Sequence, residues 1–324
     1  MQGIKKKSNL TIGVTTIAFS SNEVLVSYLT SIGFKEVKVN KEGRRFSRAE
    51  LITFLKDCDI AIVGLDTIDS ELLLHLPKLK VISKYGVGLD NIDINACDKN
   101  GIEILHKKGV NRRSVSEMAL GFMLGLSRNL YYTSNLLKNG QWKKNGGRLL
   151  TDKKIGIIGV GNIGKDLISL LKPFSCDIYA HDIIDQKSYY RQNDITLTDP
   201  EFIFRNVDIL TIHTPLTEST VNMVNRQTLS MMRPTSFLIN TARAAIVNQM
   251  DLKWALQNNI IAGAAIDVYD TEPPTDAELL TLPNLINTPH IGGNAKEAVE
   301  AMGFSAIDNI IDQEFRLFSN PGSF

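Results

Sequence analysis

Arg243, Glu272 and His290 each come shortly after an apolar run that is typical of a buried strand. A planar guanidinium can grip carboxylate and carbonyl oxygens through paired hydrogen bonds, and an imidazole can deliver a proton to a developing alkoxide. A carboxylate can orient and charge that imidazole. Each side chain alone has a plainer interpretation, as a surface ion pair, a loop charge or a structural histidine. Together, at the carboxyl ends of parallel strands, they predict hydride transfer to a 2-oxo acid.

A glycine-rich turn, Gly159–Gly164 (GVGNIG), joins the apolar run Lys154–Ile158 to a helical pattern. A strand, this fingerprint and a helix in that order are typical of a dinucleotide site. Gly159 permits the tight turn, Gly161 lets a pyrophosphate approach the backbone, and Gly164 lets the helix pack on the strand. We expect the phosphates at the helix N-terminus, where free amides and the helix dipole favour negative charge.

Asp182 ends the next predicted strand. A carboxylate there can accept hydrogen bonds from the adenosine ribose and would repel a 2′-phosphate. The residues that follow are Ile183 and Ile184, with no Arg to receive such a phosphate. The predicted cofactor is therefore NAD rather than NADP, although a strand-end carboxylate can also be a simple surface charge.

The composition excludes several classes of protein. With 36 basic and 35 acidic residues, no excess charge attracts a nucleic acid or an anionic membrane. The three cysteines, Cys58, Cys97 and Cys176, follow no metal-binding or disulfide pattern and predict reduced thiols in a cytoplasmic protein. The five histidines are dispersed, so no metal is expected. No stretch resembles a signal peptide or a membrane span.

Apolar runs alternate with amphipathic stretches, which predicts an α/β fold with parallel sheets, and the length favours two domains. The first series has predicted strands at Leu10–Val14, Asp59–Val63 and Lys80–Ser83 and predicted helices at Glu23–Ile32 and Ala49–Lys56. The second has predicted strands at Lys154–Ile158, Asp177–His181, Val207–His213, Phe237–Asn240, Gly263–Val268 and Asn284–Thr288, and a last helix near residues 295–311.

One long helix is predicted between these series, from about Asn111 to Leu137. Ser114 and Glu117 have the spacing of a capping box. Two glycines four residues apart, Gly121 and Gly125, would let another backbone come close to this helix. That backbone could belong to the neighbouring sheet or to a second subunit.

The motifs as a set resemble the D-isomer-specific 2-hydroxyacid dehydrogenase family, and within it the phosphoglycerate dehydrogenase branch. The resemblance covers nearly the whole chain. Besides the glycine turn it rests on Lys84–Asp93, Asn111–Glu117, His213–Thr217, Asn240–Arg243, Asp267–Pro274 and Thr288–Gly293.

The resemblance implies a role for each matching residue. Arg243 would bind and polarise the substrate, His290 would donate or accept the proton, and Glu272 would pair with His290 and favour the imidazolium. The implied cofactor contacts are Gly159, Gly161, Asn162, Ile163, Gly164, Asp182, His213, Thr214, Pro215, Thr241, Ala242, Arg243, Asp267, His290, Gly292 and Gly293. The implied substrate contacts are Lys84, Gly86, Val87, Gly88, Asn111, Arg243 and His290.

The resemblance also implies the domain organisation. Two Rossmann-like parallel-sheet domains are expected, with the NAD-binding domain, residues 108–291, inserted into a substrate domain of residues 1–107 and 292–324. Catalysis is expected in the cleft between the domains, and the long helix is expected to form a homodimer. Because the chain ends soon after its last helix, no regulatory domain is expected.

The resemblance implies 3-phosphoglycerate and 3-phosphohydroxypyruvate as the expected substrate pair, with hydroxypyruvate, glyoxylate or another 2-oxo acid as the alternative. Phosphoglycerate needs a basic subsite, for which Lys84, Arg44, Arg45 and Arg48 are candidates, although a solvated basic face explains these residues as well. Hydroxypyruvate or glyoxylate would need no such subsite. Ala244 and Ala245 replace the Gly-Gly common in relatives after the catalytic Arg, which leaves the detailed substrate geometry open. An alternative from another class is an NAD-sensing, corepressor-like binding protein.

Overall fold

The computed structural model describes residues 9–319. Within them lie two compact units: one joins the chain up to Asn111 to the chain from Asn294 onward, and the other is Arg112–Gly293. The sequence had suggested boundaries after residues 107 and 291. We call these the outer unit and the inserted unit.

Each unit contains one set of parallel strands. The strands of the outer unit are β1 (Thr11–Val14), β2 (Glu36–Val39), β3 (Ile60–Val63), β4 (Val81–Lys84) and β5 (Glu103–Leu105). Those of the inserted unit are β6 (Lys154–Ile158), β7 (Asp177–His181), β8 (Ile195–Leu197), β9 (Ile209–Ile212), β10 (Phe237–Asn240), β11 (Gly263–Ile266) and β12 (Leu285–Asn287).

Helices connect the strands. They are α1 (Ile17–Ser20), α2 (Glu23–Ser31), α3 (Arg48–Leu55), α4 (Ser70–Leu73), α5 (Ile94–Lys99), α6 (Arg112–Ser127), α7 (Leu130–Lys138), α8 (Asn162–Leu171), α9 (Lys187–Gln192), α10 (Pro200–Asn206), α11 (Arg226–Met231), α12 (Gln249–Gln257), α13 (Ala277–Leu280) and α14 (Lys296–Ser319).

Both sheets are doubly wound, which confirms the predicted fold class. The strand order is β2-β1-β3-β4-β5 in the outer unit and β12-β11-β10-β9-β6-β7-β8 in the inserted unit, and every pairing is parallel. The strand order reverses between β1 and β3 in one sheet and between β6 and β9 in the other. In such sheets ligands bind at the carboxyl ends of the strands near the reversal.

Buried side chains cover both faces of each sheet, as expected for parallel strands. In β9, Leu210 and Ile212 pack on one face while Ile209 packs on the other. In the outer unit, α14 covers one face through Met302 and Ile307, beside the side chains of β1 and β3. This packing explains why the last helix folds with the first part of the chain.

The predicted long helix is wrong, because two helices, α6 and α7, occupy that segment. The break falls at Asn129, whose φ of 53° lies in the left-handed region that Asn tolerates. The capping box is wrong as well. Ser114 lies inside α6, and its hydroxyl donates to the carbonyl oxygen of Gly292 at 2.6 Å.

The sequence pattern did not predict three of the strands: β2, β5 and β8. Each lies at the edge of its sheet. Edge strands are short and partly solvated, so their apolar periodicity is weak.

The three cysteines are unpaired thiols, with Cys58 and Cys97 buried and Cys176 half-buried. Burial raises the pKa of Cys58 to about 11, which makes this thiol a poor nucleophile. None of the helices within residues 9–319 is both long and apolar enough to cross a bilayer.

Candidate active site

His290 and Glu272 form a side-chain pair in the inserted unit. Nδ1 of His290 lies 2.8 Å from Oε1 and 3.0 Å from Oε2 of Glu272. The two side chains are 36% and 22% exposed, so both can reach a small molecule. Since the carboxylate takes Nδ1, Nε2 is the ring nitrogen left to exchange a proton with another molecule.

Asp267 holds the loop that carries His290. It directly follows β11 and is 1% exposed. Its carboxylate accepts hydrogen bonds from the Thr288 hydroxyl at 2.6 Å, the Ile291 amide at 2.8 Å and the Gly292 amide at 2.7 Å. Three donors from one loop on one buried carboxylate hold His290, at φ 55°, in a left-handed conformation. The sequence had suggested Asp267 as a cofactor contact; that role stays a prediction, and the structure shows the loop contact.

Arg243 follows β10 in a turn that Asn240 shapes. The side-chain oxygen of Asn240 accepts from the Ala242 amide at 3.0 Å, and its amide nitrogen donates to the Arg243 carbonyl at 2.9 Å. Nη1 of Arg243 donates to the Ala242 carbonyl at 2.7 Å. Because β10, β11 and β12 are neighbours, Arg243, Asp267 and His290 follow the carboxyl ends of adjacent strands.

Each glycine of the Gly159–Gly164 turn meets a different demand. Gly159 has a φ of 95°, and a Cβ there would lie 2.6 Å from the backbone of His213 and Thr214. A Cβ on Gly164 would collide with the carbonyl oxygen of Gly159. A Cβ on Gly161 would meet nothing within 4 Å, and Gly161 is the N-cap of α8, which no side chain caps. This open, uncapped helix N-terminus fits a pyrophosphate.

Two side chains of the loop after β7 form hydrogen bonds with the backbone of Val160, which lies inside this turn. Asp182 accepts from the Val160 amide at 2.6 Å and from the Ile184 amide at 2.8 Å. Gln186 donates to the Val160 carbonyl at 3.1 Å. The sequence pattern missed Gln186, because no motif marks a residue whose contact is to a backbone carbonyl 26 residues away.

Two buried polar atoms near the ends of β9 and β10 have no hydrogen-bond partner among the described residues: Nδ1 of His213 and Oγ1 of Thr241. Nε2 of His213 lies 2.9 Å from the Thr211 hydroxyl. Burial lowers the pKa of His213 to about 4, so the ring is neutral at pH 7. Both residues belong to the expected cofactor contacts, and unpartnered buried polar atoms fit a polar ligand.

The outer unit contains the glycine loop after β4. Gly86 has a φ of 113°, which glycine tolerates. Within residues 9–319, the amides of Gly86, Val87 and Gly88 donate to no acceptor. Lys84, suggested as an anion contact, is only 5% exposed, and its ammonium donates to the Gly64 carbonyl and to Oδ1 of Asn91.

Two of the three arginines suggested for a phosphate subsite, Arg44 and Arg48, are paired with carboxylates. Arg44 pairs with Glu50 at 2.5 Å, and Arg48 pairs with Asp69. Asp69 also caps α4, since its side chain accepts from the Leu72 amide at 2.9 Å. Arg44 and Arg48 thus form exposed ion pairs, and a phosphate subsite at these residues stays a prediction.

The sequence matches the model of the D-isomer specific 2-hydroxyacid dehydrogenase NAD binding domain over residues 120–292. Hydroxypyruvate reductase of Thermotoga maritima is 30% identical over 298 residues, which are 90% of this chain and 96% of that protein. The chain belongs to the D-isomer specific 2-hydroxyacid dehydrogenase family. Its cofactor is NAD, and small 2-hydroxy and 2-oxo acids are the substrates that fit this family.

Other members of the 2-hydroxyacid dehydrogenase family show how far the likeness extends. D-3-phosphoglycerate dehydrogenase of Methanocaldococcus jannaschii is 32% identical over 293 residues, which are 89% of this chain. The chain spans 55% of the length of that relative. The crystal structure of TT0316 from Thermus thermophilus has a TM-score of 0.84 at 28% identity and covers 93% of this chain and 96% of that one. The family assignment made from the sequence motifs is therefore confirmed.

Metal ligands do not assemble in the part of the chain that the structure describes: no three His, Cys, Asp or Glu side chains converge there.

Proposed function

We propose that this dehydrogenase carries out reversible hydride transfer at C2 of a D-2-hydroxy acid with the His290–Glu272 pair as its acid and base. The observation that carries the proposal is the contact of His290 Nδ1 with both oxygens of Glu272, at 2.8 and 3.0 Å. When bound, NAD supplies the acceptor or donor of the hydride.

His290 moves the proton in this proposal. In reduction, Nε2 gives its proton to the alkoxide that develops at C2, and in oxidation it removes the hydroxyl proton. Glu272 stabilises the imidazolium through a charge-assisted hydrogen bond and keeps Nδ1 protonated. Arg243 holds and polarises the oxygens of the oxo acid, because its guanidinium presents paired donors.

The substrate carboxylate is proposed to bind the amides of Gly86, Val87 and Gly88. Successive backbone amides without acceptors form a concave site for an anion. Asn111, the last residue of the outer unit, stays a proposed substrate contact as well. The outer unit is thus the proposed substrate domain, and the inserted unit is the proposed cofactor domain.

Two classes of oxo acid are candidates. Phosphohydroxypyruvate, with 3-phosphoglycerate as its reduced partner, is favoured by the similarity to phosphoglycerate dehydrogenases. Hydroxypyruvate or glyoxylate is favoured by the ion pairs of Arg44 and Arg48 and by the burial of Lys84, which leave Arg45 of the four suggested cations for a phosphate. The structure therefore gives more support to an unphosphorylated oxo acid.

A substrate panel tests the proposal. NADH oxidation is measured with phosphohydroxypyruvate, hydroxypyruvate, glyoxylate and pyruvate, and NADPH is compared with NADH for the best of them. We expect the largest kcat/KM with hydroxypyruvate or glyoxylate, and a preference for NADH because of Asp182. A strong preference for phosphohydroxypyruvate would select the other candidate. No turnover with any oxo acid would contradict the enzyme and favour an NAD-sensing binding protein.

We also propose a cytoplasmic homodimer without nucleic-acid or membrane partners. The support for the dimer lies in α7, which buries none of its residues within the chain. The exposed apolar side chains of α7 and the segment after it are Leu130, Tyr131, Tyr132, Leu137, Trp142 and Leu149. Sedimentation equilibrium of the wild type and of Trp142→Asp tests it: a monomeric wild type contradicts the dimer, and a dimer weakened by the substitution supports this surface.

A further inference from the structure

Lys84 and Asn91 stand at the two ends of the loop that carries Gly86–Gly88. Their side chains meet across the base of the loop, with Nζ of Lys84 2.6 Å from Oδ1 of Asn91. The ammonium also donates to the Gly64 carbonyl, which follows β3. One buried cation therefore joins both ends of the loop to the neighbouring strand.

The side-chain amide of Asn91 forms further hydrogen bonds with the segment after β3. Nδ2 of Asn91 donates to the carbonyls of Gly64, at 3.2 Å, and Asp66. The Asn91 carbonyl accepts from the Ile68 amide at 2.8 Å. Asn91 is thus held to the segment after β3 by its side chain and by its backbone, and Lys84 is held to the same segment.

The side chain of Lys84 also lies close to Gly86 in the loop. A Cβ built on Gly86 would lie 3.8 Å from Cε of Lys84 and 4.0 Å from Sδ of Met302. With 5% of its surface exposed, Lys84 has its ammonium directed into the unit, toward Gly64 and Asn91. This arrangement suits a support for the loop better than a point charge for a ligand.

We propose that Lys84 and Asn91 are positioning residues, which fasten the loop so that the amides of Gly86, Val87 and Gly88 stay available to the substrate carboxylate. Lys84 acts through the loop and does not itself bind the substrate. The inference rests on the proposed function, because it takes the loop to be the carboxylate site. It assigns to Lys84 a role different from the anion contact suggested by the sequence.

The test compares Lys84→Met, Asn91→Ala and the double variant with wild type. Lys80→Met is the matched control, because Lys80 is an exposed lysine just before the same strand. KM and kcat are measured for phosphohydroxypyruvate and for glyoxylate, and the Kd of NADH is measured by fluorescence. Thermal unfolding shows which variants are folded.

Loss of the contact between Lys84 and Asn91 should raise the KM of the oxo acid about 10-fold, a factor that corresponds to the loss of one hydrogen bond to an ionised group. The rise should be equal for every oxo acid that the wild type reduces, with kcat changed less than KM and with the Kd of NADH within about twofold of wild type. Because the two side chains contact each other and share the Gly64 carbonyl, the double variant should lose less than the product of the two single losses. Lys80→Met should resemble the wild type.

Two results would overturn the inference. A rise in KM confined to the phosphorylated oxo acid, seen in Lys84→Met but not in Asn91→Ala, would make Lys84 a direct phosphate ligand. A folded Lys84→Met or Asn91→Ala enzyme with wild-type KM would show that the contact does not position the loop. If Lys84→Met does not fold, Asn91→Ala decides alone, since it retains the lysine. A wild-type protein inactive toward every oxo acid would instead contradict the proposed function.

Discussion

The outer and inserted units each fasten a loop at the carboxyl end of their sheet with a buried charge, but the two charges have opposite signs. In the inserted unit, the carboxylate of Asp267 accepts hydrogen bonds from the consecutive Ile291 and Gly292 amides of the His290 loop. In the outer unit, the ammonium of Lys84 donates to the Gly64 carbonyl and to the Asn91 side chain.

The sign of the buried charge decides what the loop can offer to a ligand. The buried carboxylate of Asp267 accepts from the backbone amides of the His290 loop, so those amides are not available to a ligand. What this loop presents is a side chain that can exchange a proton. The buried ammonium of Lys84 donates to oxygen atoms and occupies no amide. The backbone amides of the glycine loop therefore stay available, and such amides suit an anion. In the proposed function, proton transfer and anion binding therefore fall to different loops, each at the end of a doubly wound sheet.

The largest effect is expected from His290→Ala, which removes the proposed acid and leaves the outer unit unchanged. General acid catalysis contributes about 10²–10⁴-fold, so kcat should fall by about that factor while the Kd of NADH stays near the wild-type value. Stopped-flow or steady-state assays of oxo-acid reduction measure the loss. His75→Ala is the control, because His75 is an exposed histidine. A His290→Ala enzyme with more than a tenth of the wild-type kcat would contradict the proposed role.

Asp267→Asn tests whether the buried carboxylate holds the His290 loop. An amide in this place cannot accept from all three donors, so one loop amide would face an NH₂ group. We expect about 2 kcal/mol less stability in urea unfolding and a fall in kcat of about 10-fold, from hydrogen bonds lost at a charged group. Asp270→Asn, three residues further on and exposed, is the control. Unchanged kcat in the Asp267 variant would mean that the loop needs no such anchor.

The third prediction concerns His213, the buried neutral histidine of the inserted unit. Its pKa in the folded protein is about 4, below the ordinary value of 6.5, because burial disfavours the imidazolium. The unfolded chain therefore binds the proton first as the pH falls. This stabilising contribution is complete above pH 6.5, declines between 6.5 and 4, and amounts to about 3 kcal/mol at most.

Urea unfolding at pH 7.5 and pH 5 measures that contribution. The wild type should lose about 2 kcal/mol more than His213→Asn between the two conditions. His75→Asn should behave as the wild type does. Equal losses in the wild type and the His213 variant would show that this ring is not the titrating group.

The smallest effect is expected from Gln186→Ala, which releases the Val160 carbonyl in the glycine turn. One neutral hydrogen bond is worth about 1 kcal/mol, so the Kd of NADH should rise about fivefold with little change in the KM of the oxo acid. Fluorescence titration measures the Kd. Gln192→Ala, at the exposed end of α9, is the control. A change in oxo-acid KM without one in NADH affinity would contradict the assignment of Gln186 to the cofactor side.

Much of the fold could be predicted because the apolar pattern of central strands is strong. The bounds of β6, β7 and β10 agree with the sequence pattern, since these strands are buried inside their sheet. Three edge strands, β2, β5 and β8, and the break at Asn129 were missed, because these strands have a weak apolar pattern and a left-handed Asn leaves no clear signal in a helical stretch. The glycine turn was visible because close backbone approach at Gly159 and Gly164 excludes any Cβ.

The sequence by itself determined the family, the cofactor and the residue types that proton transfer and anion binding require, because motifs record chemistry and backbone space. Only the tertiary structure decided what the charged residues contact. Lys84, suggested as a ligand for an anion, donates to Gly64 and Asn91, and Arg44 and Arg48 are paired with carboxylates. The physical reason is that a hydrogen-bond partner can lie anywhere along the chain, so the tertiary fold, and not the local sequence, determines which residue it is.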